Sequence, residues 1–183
     1  MKPSQILTTF ILALFICCQD NVKSKQKDVI NKVVFATGGC FGECPFQAIS
    51  IDNKLKVKYH GVGYSEKIGF YTGVINIDYW DKLKVKLESI NFRQLDTSYE
   101  DSVDDLATEI FIYYGDDVKH IRGQSSSLPD NVMNVYDWLM NSIKNIKFES
   151  TTDSIKFETR IQNPIPQPIG NIRFIPPSVE INE

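Results

Sequence analysis

The sequence predicts an α+β fold: a mainly antiparallel sheet with two helices on one face, a two-layer sandwich. Three observations carry this. Segments rich in β-branched and aromatic residues alternate with two stretches whose apolar residues recur at helical spacing. Short turn signals join consecutive strands as hairpins, which makes the sheet mainly antiparallel. Each helical stretch is apolar on one side only, so both cover a sheet face.

The elements follow in order. Val33-Val34-Phe35-Ala36 forms a strand ended by Gly38-Gly39, and Phe46 to Ile51 forms the next. Asp52-Asn53 turns the chain into Lys54 to His60, where Leu55, Val57 and Tyr59 face one side and the lysines and His60 face solvent. Phe70 to Ile75 is a fourth strand. A helix over Asp78 to Ile90 carries the stripe Trp80, Leu83, Leu87, Ile90, with Asp78 as its cap. Thr108 to Tyr114 and Val118 to Arg122 pair about the turn Gly115-Asp116-Asp117. Ser127 caps a second helix with Pro129 in its first turn, and Val132, Val135, Tyr136, Leu139 and Ile143 make its stripe. Ser154 to Ile161 reads as one further strand.

At 183 residues with 42% apolar and 23% charged composition, the chain has the makeup of a packed globule. Its net charge of -3 gives no electrostatic case for a nucleic-acid partner.

Lys2 followed by the apolar run Ile6 to Ile16 suits a signal peptide and is too short to span a bilayer, which takes about 20 apolar residues. The run closes on Cys17-Cys18 and resembles the lipobox of bacterial lipoproteins. That resemblance implies acylation of Cys18, because the residue before a modified cysteine should be small and Ile16 is not. The expected location is the bacterial cell envelope, lipid-anchored at the outer membrane. The chain then divides into a signal peptide (1–17), a polar tether (18–28), the α+β domain (29–148) and an extended C-terminal extension (149–183). Five of the eight prolines lie within it between Asn163 and Glu183. They exclude helix and central strand there, although Ile165, Ile169, Ile172, Phe174 and Ile175 keep it apolar.

Cys40-Phe41-Gly42-Glu43-Cys44-Pro45 resembles the Cys-x-Gly-x-Cys-Pro signature of an uncharacterised bacterial envelope family, the domain of unknown function numbered 6438. Tyr59-His60-Gly61, Ile90-Asn91-Phe92, Asp105-Leu106 and the apolar helix after Leu128-Pro129 extend the likeness over about Asn31 to Ser142. The family favours an aromatic residue where this chain has Gln47. The resemblance implies a fold and an envelope setting, and no activity.

Cys40 and Cys44 remain as an even pair once Cys17 is removed and Cys18 is acylated, so a structural disulfide is expected in an oxidising compartment. A redox pair is the alternative, although three intervening residues differ from Cys-x-x-Cys. A metal site would need His60 or His120, neither at zinc-ligand spacing. Phe41 and Glu43, at the tip of this loop, are the candidate contact residues. Glu100, Asp101, Asp104 and Asp105 form an acidic loop without EF-hand spacing. Ser125, Ser126 and Ser127 lack a Gly-x-Ser-x-Gly context, and Gly61 and Gly63 lack a phosphate-loop context. No catalytic residue, metal ligand or cofactor is assigned. The expected role is a non-enzymatic envelope lipoprotein, held to the membrane by its anchor, that binds a protein or cell-wall partner. The rival is a thiol–disulfide redox enzyme acting through Cys40 and Cys44.

Overall fold

The computed structural model describes residues 28–38, 40, 42–99 and 105–161. The signal peptide, Cys18, the tether up to residue 27, Phe41, the acidic residues Glu100, Asp101 and Asp104, and the proline-rich stretch from 162 onward lie outside those residues.

The described residues build one sheet and two helices. Strand β1 spans Ile30–Gly38, β2 Phe46–Asp52, β3 Lys56–Gly63 and β4 Gly69–Val74. Helix α1 covers Ile77–Ser89, and a single 3-10 turn follows at Phe92–Gln94. Then come β5 (Ser98–Tyr99), β6 (Ala107–Tyr114), β7 (Asp117–Gln124), helix α2 (Asp130–Ile143) and β8 (Phe148–Thr151). The strand order is β5-β7-β6-β1-β2-β3-β4-β8, antiparallel at every pairing except β5 with β7. This is the α+β sandwich that the sequence predicts.

The strand β1 is apolar on both faces, and the architecture answers to that. Val33 and Phe35 face the helices, in register with Ile51 and Ile49 of β2 and with Ile112 and Ile110 of β6. Trp80, Leu83 and Leu87 of α1, with Val132, Val135, Tyr136, Leu139 and Ile143 of α2, bury that face. Both stripes match those read from the sequence.

Val34 and Ala36 point to the opposite face, where Phe157 packs on them and on Ala48. The segment 155–161 is therefore a strap lying on the second face rather than the further strand expected. Glu158 pairs with Lys32 at 2.7 Å. The buried carboxylate of Glu109 accepts hydrogen bonds from the Thr159 hydroxyl and from the Arg160 N–H at 2.8 Å. A buried carboxylate needs such donors to offset its desolvation, so Glu109 fixes the end of the strap.

Some expectations are corrected locally. The cap of α1 is Asn76, whose side chain accepts from the Tyr79 N–H at 2.8 Å, and not Asp78, which lies inside the first turn. Pro129, not Ser127, occupies the N-cap position of α2, and no side chain caps that end. His60 is half-buried and stacked on Phe70 with ring centroids 3.9 Å apart, so its strand face is less open to solvent than the lysines suggested. Phe148, taken as the end of the domain, begins a strand on β4 and packs its ring 5.3 Å from that of Tyr59.

Leu87→Ala and Leu139→Ala should each cost about 2–5 kcal/mol, the penalty for emptying a buried leucine site. Phe157→Ala should fall in the same range if the strap belongs to the cooperative unit. Lys56→Ala, on the exposed face, should cost less than about 0.5 kcal/mol. Urea denaturation measures all four, and a near-zero loss at Phe157 would contradict the strap's place in the fold.

Candidate functional site

The helix-facing rows of the central strands are apolar until their last position, where they turn polar together. Val33 and Phe35 are followed on that face by Thr37, and Ile51 and Ile49 by Gln47. Thr37 pairs with Gln47 on one side and with Thr108 on the other, while Gln47 pairs with Gly61 of β3. The result is a buried row, Thr108-Thr37-Gln47-Gly61, across four strands at one end of the sheet.

Each member of the row shapes what lies above it. The Thr37 hydroxyl donates to the Pro45 carbonyl at 2.6 Å, closing the base of the β1–β2 loop. In that loop Cys40 and Cys44 are joined by a disulfide with their Cα atoms 5.9 Å apart. A ring this short removes little chain entropy, about 2 kcal/mol. Its main effect is to hold the loop's shape. Gly42 within it has φ of 139°, a conformation that other residues rarely adopt. Glu43 is exposed.

Gly61 shapes the facing β3–β4 loop. A Cβ there would lie 1.8 Å from the carbonyl oxygen of Lys67, so only glycine lets the loop fold back this closely. The Ser65 hydroxyl donates to the same carbonyl at 3.2 Å. Tyr64 sits at φ of 50° with its side chain 66% exposed, and Val62 and Ile68 are exposed beside it. A non-glycine residue held in this region is strained, and such residues concentrate at functional sites.

Between this loop, the exit of the disulfide loop and the second half of α2 lies a cleft of about 370 Å³. Pro45 and Gln47 form one side, Ser65 and Glu66 another, and Asp137, Asn141 and Lys144 of α2 the third. Gln47 is at its floor, 6% exposed. The Tyr59 hydroxyl donates to Gln47 Oε1 at 2.7 Å, and Gln47 Nε2 faces Met140 Sδ at 2.9 Å. Burial raises the pKa of Tyr59, and it pushes that of Tyr136, also in the cleft wall, up to about 12. Both phenols stay protonated at neutral pH, and that of Tyr59 donates to Gln47.

The other sequence candidates fall elsewhere. His60 is in register with Ala48, and His120 with Phe111, so both project to the strap face, away from the cleft. Among the described residues no three His, Cys, Asp or Glu side chains are grouped to hold a metal ion. Asp105 and the serines, read separately from sequence, belong together. Asp105 accepts from the Ser126 N–H at 2.6 Å, and the hydroxyls of Ser125 and Ser126 lower its pKa to about 2. That pairing ties the residue just before β6 to the connection between β7 and α2. Thr37, Gln47 and the loop Tyr64 to Glu66 escaped sequence reasoning. The available signal was Gln47 itself, a polar residue in phase with Ile49 and Ile51.

The chain matches the family model described as Domain of unknown function (DUF6438) over residues 31–144. It belongs to this family. The DUF6438 segment contains both loops and every wall of the cleft, and it ends at Lys144 on the cleft rim. Strand β8 and the strap follow it. A comparison with curated proteins finds no match.

Gly61→Ala should destabilise the DUF6438 domain by about 1–3 kcal/mol, because the overlap is with backbone and no side-chain rotation relieves it. Gly63→Ala, whose added carbon would meet nothing within 4 Å, should change stability by less than about 0.5 kcal/mol. Denaturation midpoints compare the two, and equal effects would contradict the close approach described for Gly61.

Proposed function

We propose that the protein is a non-enzymatic, lipid-anchored component of the bacterial cell envelope that binds a protein or cell-wall partner through the end of the sheet bearing the two loops. The convergence there carries the reading: a disulfide-held loop, a strained loop with exposed Tyr64, Val62 and Ile68, and a polar cleft between them. Loops positioned by a rigid scaffold are where binding residues concentrate. The cleft has carboxylates, amides and phenols but no histidine, which favours binding over acid–base chemistry at neutral pH. The anchor rests on the apolar run ending at Cys18.

A photoreactive amino acid at position 64, in cells carrying the full chain, tests the reading. It should cross-link to one recurring envelope component, whereas the same group at Val85, exposed on α1, should not. A fatty-acid label should mark the wild type and not Cys18→Ala. Equal cross-linking from both positions contradicts the binding end, and equal labelling contradicts the anchor.

A further inference from the structure

The buried polar row has one unmet demand. Thr37 donates to Pro45 and Thr108 donates to the Gly123 carbonyl at 3.0 Å, so both hydroxyls are satisfied by strong acceptors. Gln47 is not in that position. Its Oε1 accepts the Tyr59 hydroxyl at 2.7 Å. Its Nε2 carries two N–H groups and, among the described residues, has only the Met140 thioether as acceptor, a weak one. The NH₂ group is buried at the floor of a cleft that opens to solvent, and a buried donor without a good acceptor is costly.

The geometry points to a saccharide in this cleft, with Gln47 Nε2 donating to a carbonyl oxygen of the kind an acetamido sugar carries. This rests on the binding end proposed above and names its partner class. The rim supports it. Glu66 and Asp137 only accept, Lys144 only donates, and Asn141 does both. Hydroxyl groups answer all four, whereas an anion meets two carboxylates and an apolar ligand leaves the floor unsatisfied. The exposed Tyr64 ring offers a flat apolar surface beside these groups, suited to the C–H face of a pyranose. The volume lies within the range of about 300–1,000 Å³ usual for small-ligand sites. An extended peptide fits less well. It binds most readily along an open strand edge, and β2 at the cleft floor is paired on both sides.

Titration of the full chain with N,N′-diacetylchitobiose, cellobiose and trialanine, followed by amide chemical shifts, tests this. Diacetylchitobiose should bind with shifts confined to the surroundings of Gln47, Ser65 and Asn141. Cellobiose, which lacks the acetamido carbonyl, should bind more weakly. Gln47→Leu should weaken diacetylchitobiose by about tenfold, the value of one lost hydrogen bond. Asn141→Ala, on the exposed rim, should weaken it severalfold with an unchanged melting temperature. No saccharide binding at millimolar concentration, binding indifferent to both variants, shifts elsewhere, or trialanine binding in its place would each overturn the proposal. Equal affinity for cellobiose would overturn the acetamido contact. Saccharide failure alongside successful cross-linking from position 64 overturns the ligand class alone, whereas failure of that cross-linking removes the binding end itself.

Discussion

The fold depends on a central strand that cannot tolerate water on either side. Val33 and Phe35 on one face of β1, and Val34 and Ala36 on the other, are all buried. Paired by β2 and β6, β1 has no open edge, so cover must come from above and below. The helices supply one layer through apolar stripes that match the sheet rows beneath. The strap supplies the other with far fewer residues, which is why it needs an anchor as strong as Glu109. One buried carboxylate that accepts a hydroxyl and a backbone N–H holds a segment with no ladder of its own.

The same strand supports the end of the molecule proposed for recognition. The disulfide loop follows the C-terminal end of β1, a strand paired on both sides and buried on both faces. Beneath it the buried rows change from isoleucine, phenylalanine and valine to Thr108, Thr37 and Gln47. Polar groups in a core are stabilising only when satisfied: Thr37 bonds to the disulfide loop and Thr108 to β7, while Gln47 meets β3 and α2. The core thus acts as both floor and support for the cleft.

Periodicity made most of this fold legible from sequence. The stripes of both helices and the inward Val57 and Tyr59 report burial directly, and these residues are buried; Leu55, read as part of the same alternation, lies in the turn before β3 at φ of 62° and is only half-buried. The errors share a physical origin. Ile155, Phe157, Thr159 and Ile161 alternate as a strand would, since every second residue faces the sheet, but alternation cannot tell a backbone that pairs from one that lies across a face. Asn76 and Asp78 are both good caps, and only the backbone decides where the helix begins. The disulfide was readable from cysteine counting. Gln47 was not interpretable, because a polar residue at an inward position has meaning only once Tyr59, Met140 and the cleft surround it.

The central claim is that a rigid, doubly covered sheet presents a separately pinned binding end. Native-state hydrogen exchange of the full chain, before and after reduction of the Cys40–Cys44 bond, tests it most directly. The account predicts that amides of Val33 to Phe35 and Ile49 to Ile51 keep their protection while those from Gly42 to Gln47 lose it, with Ser65 to Lys67 following. Loss of protection throughout β1 would mean that the disulfide holds the whole fold, and no change at the loop would mean that it holds nothing; either result contradicts the account.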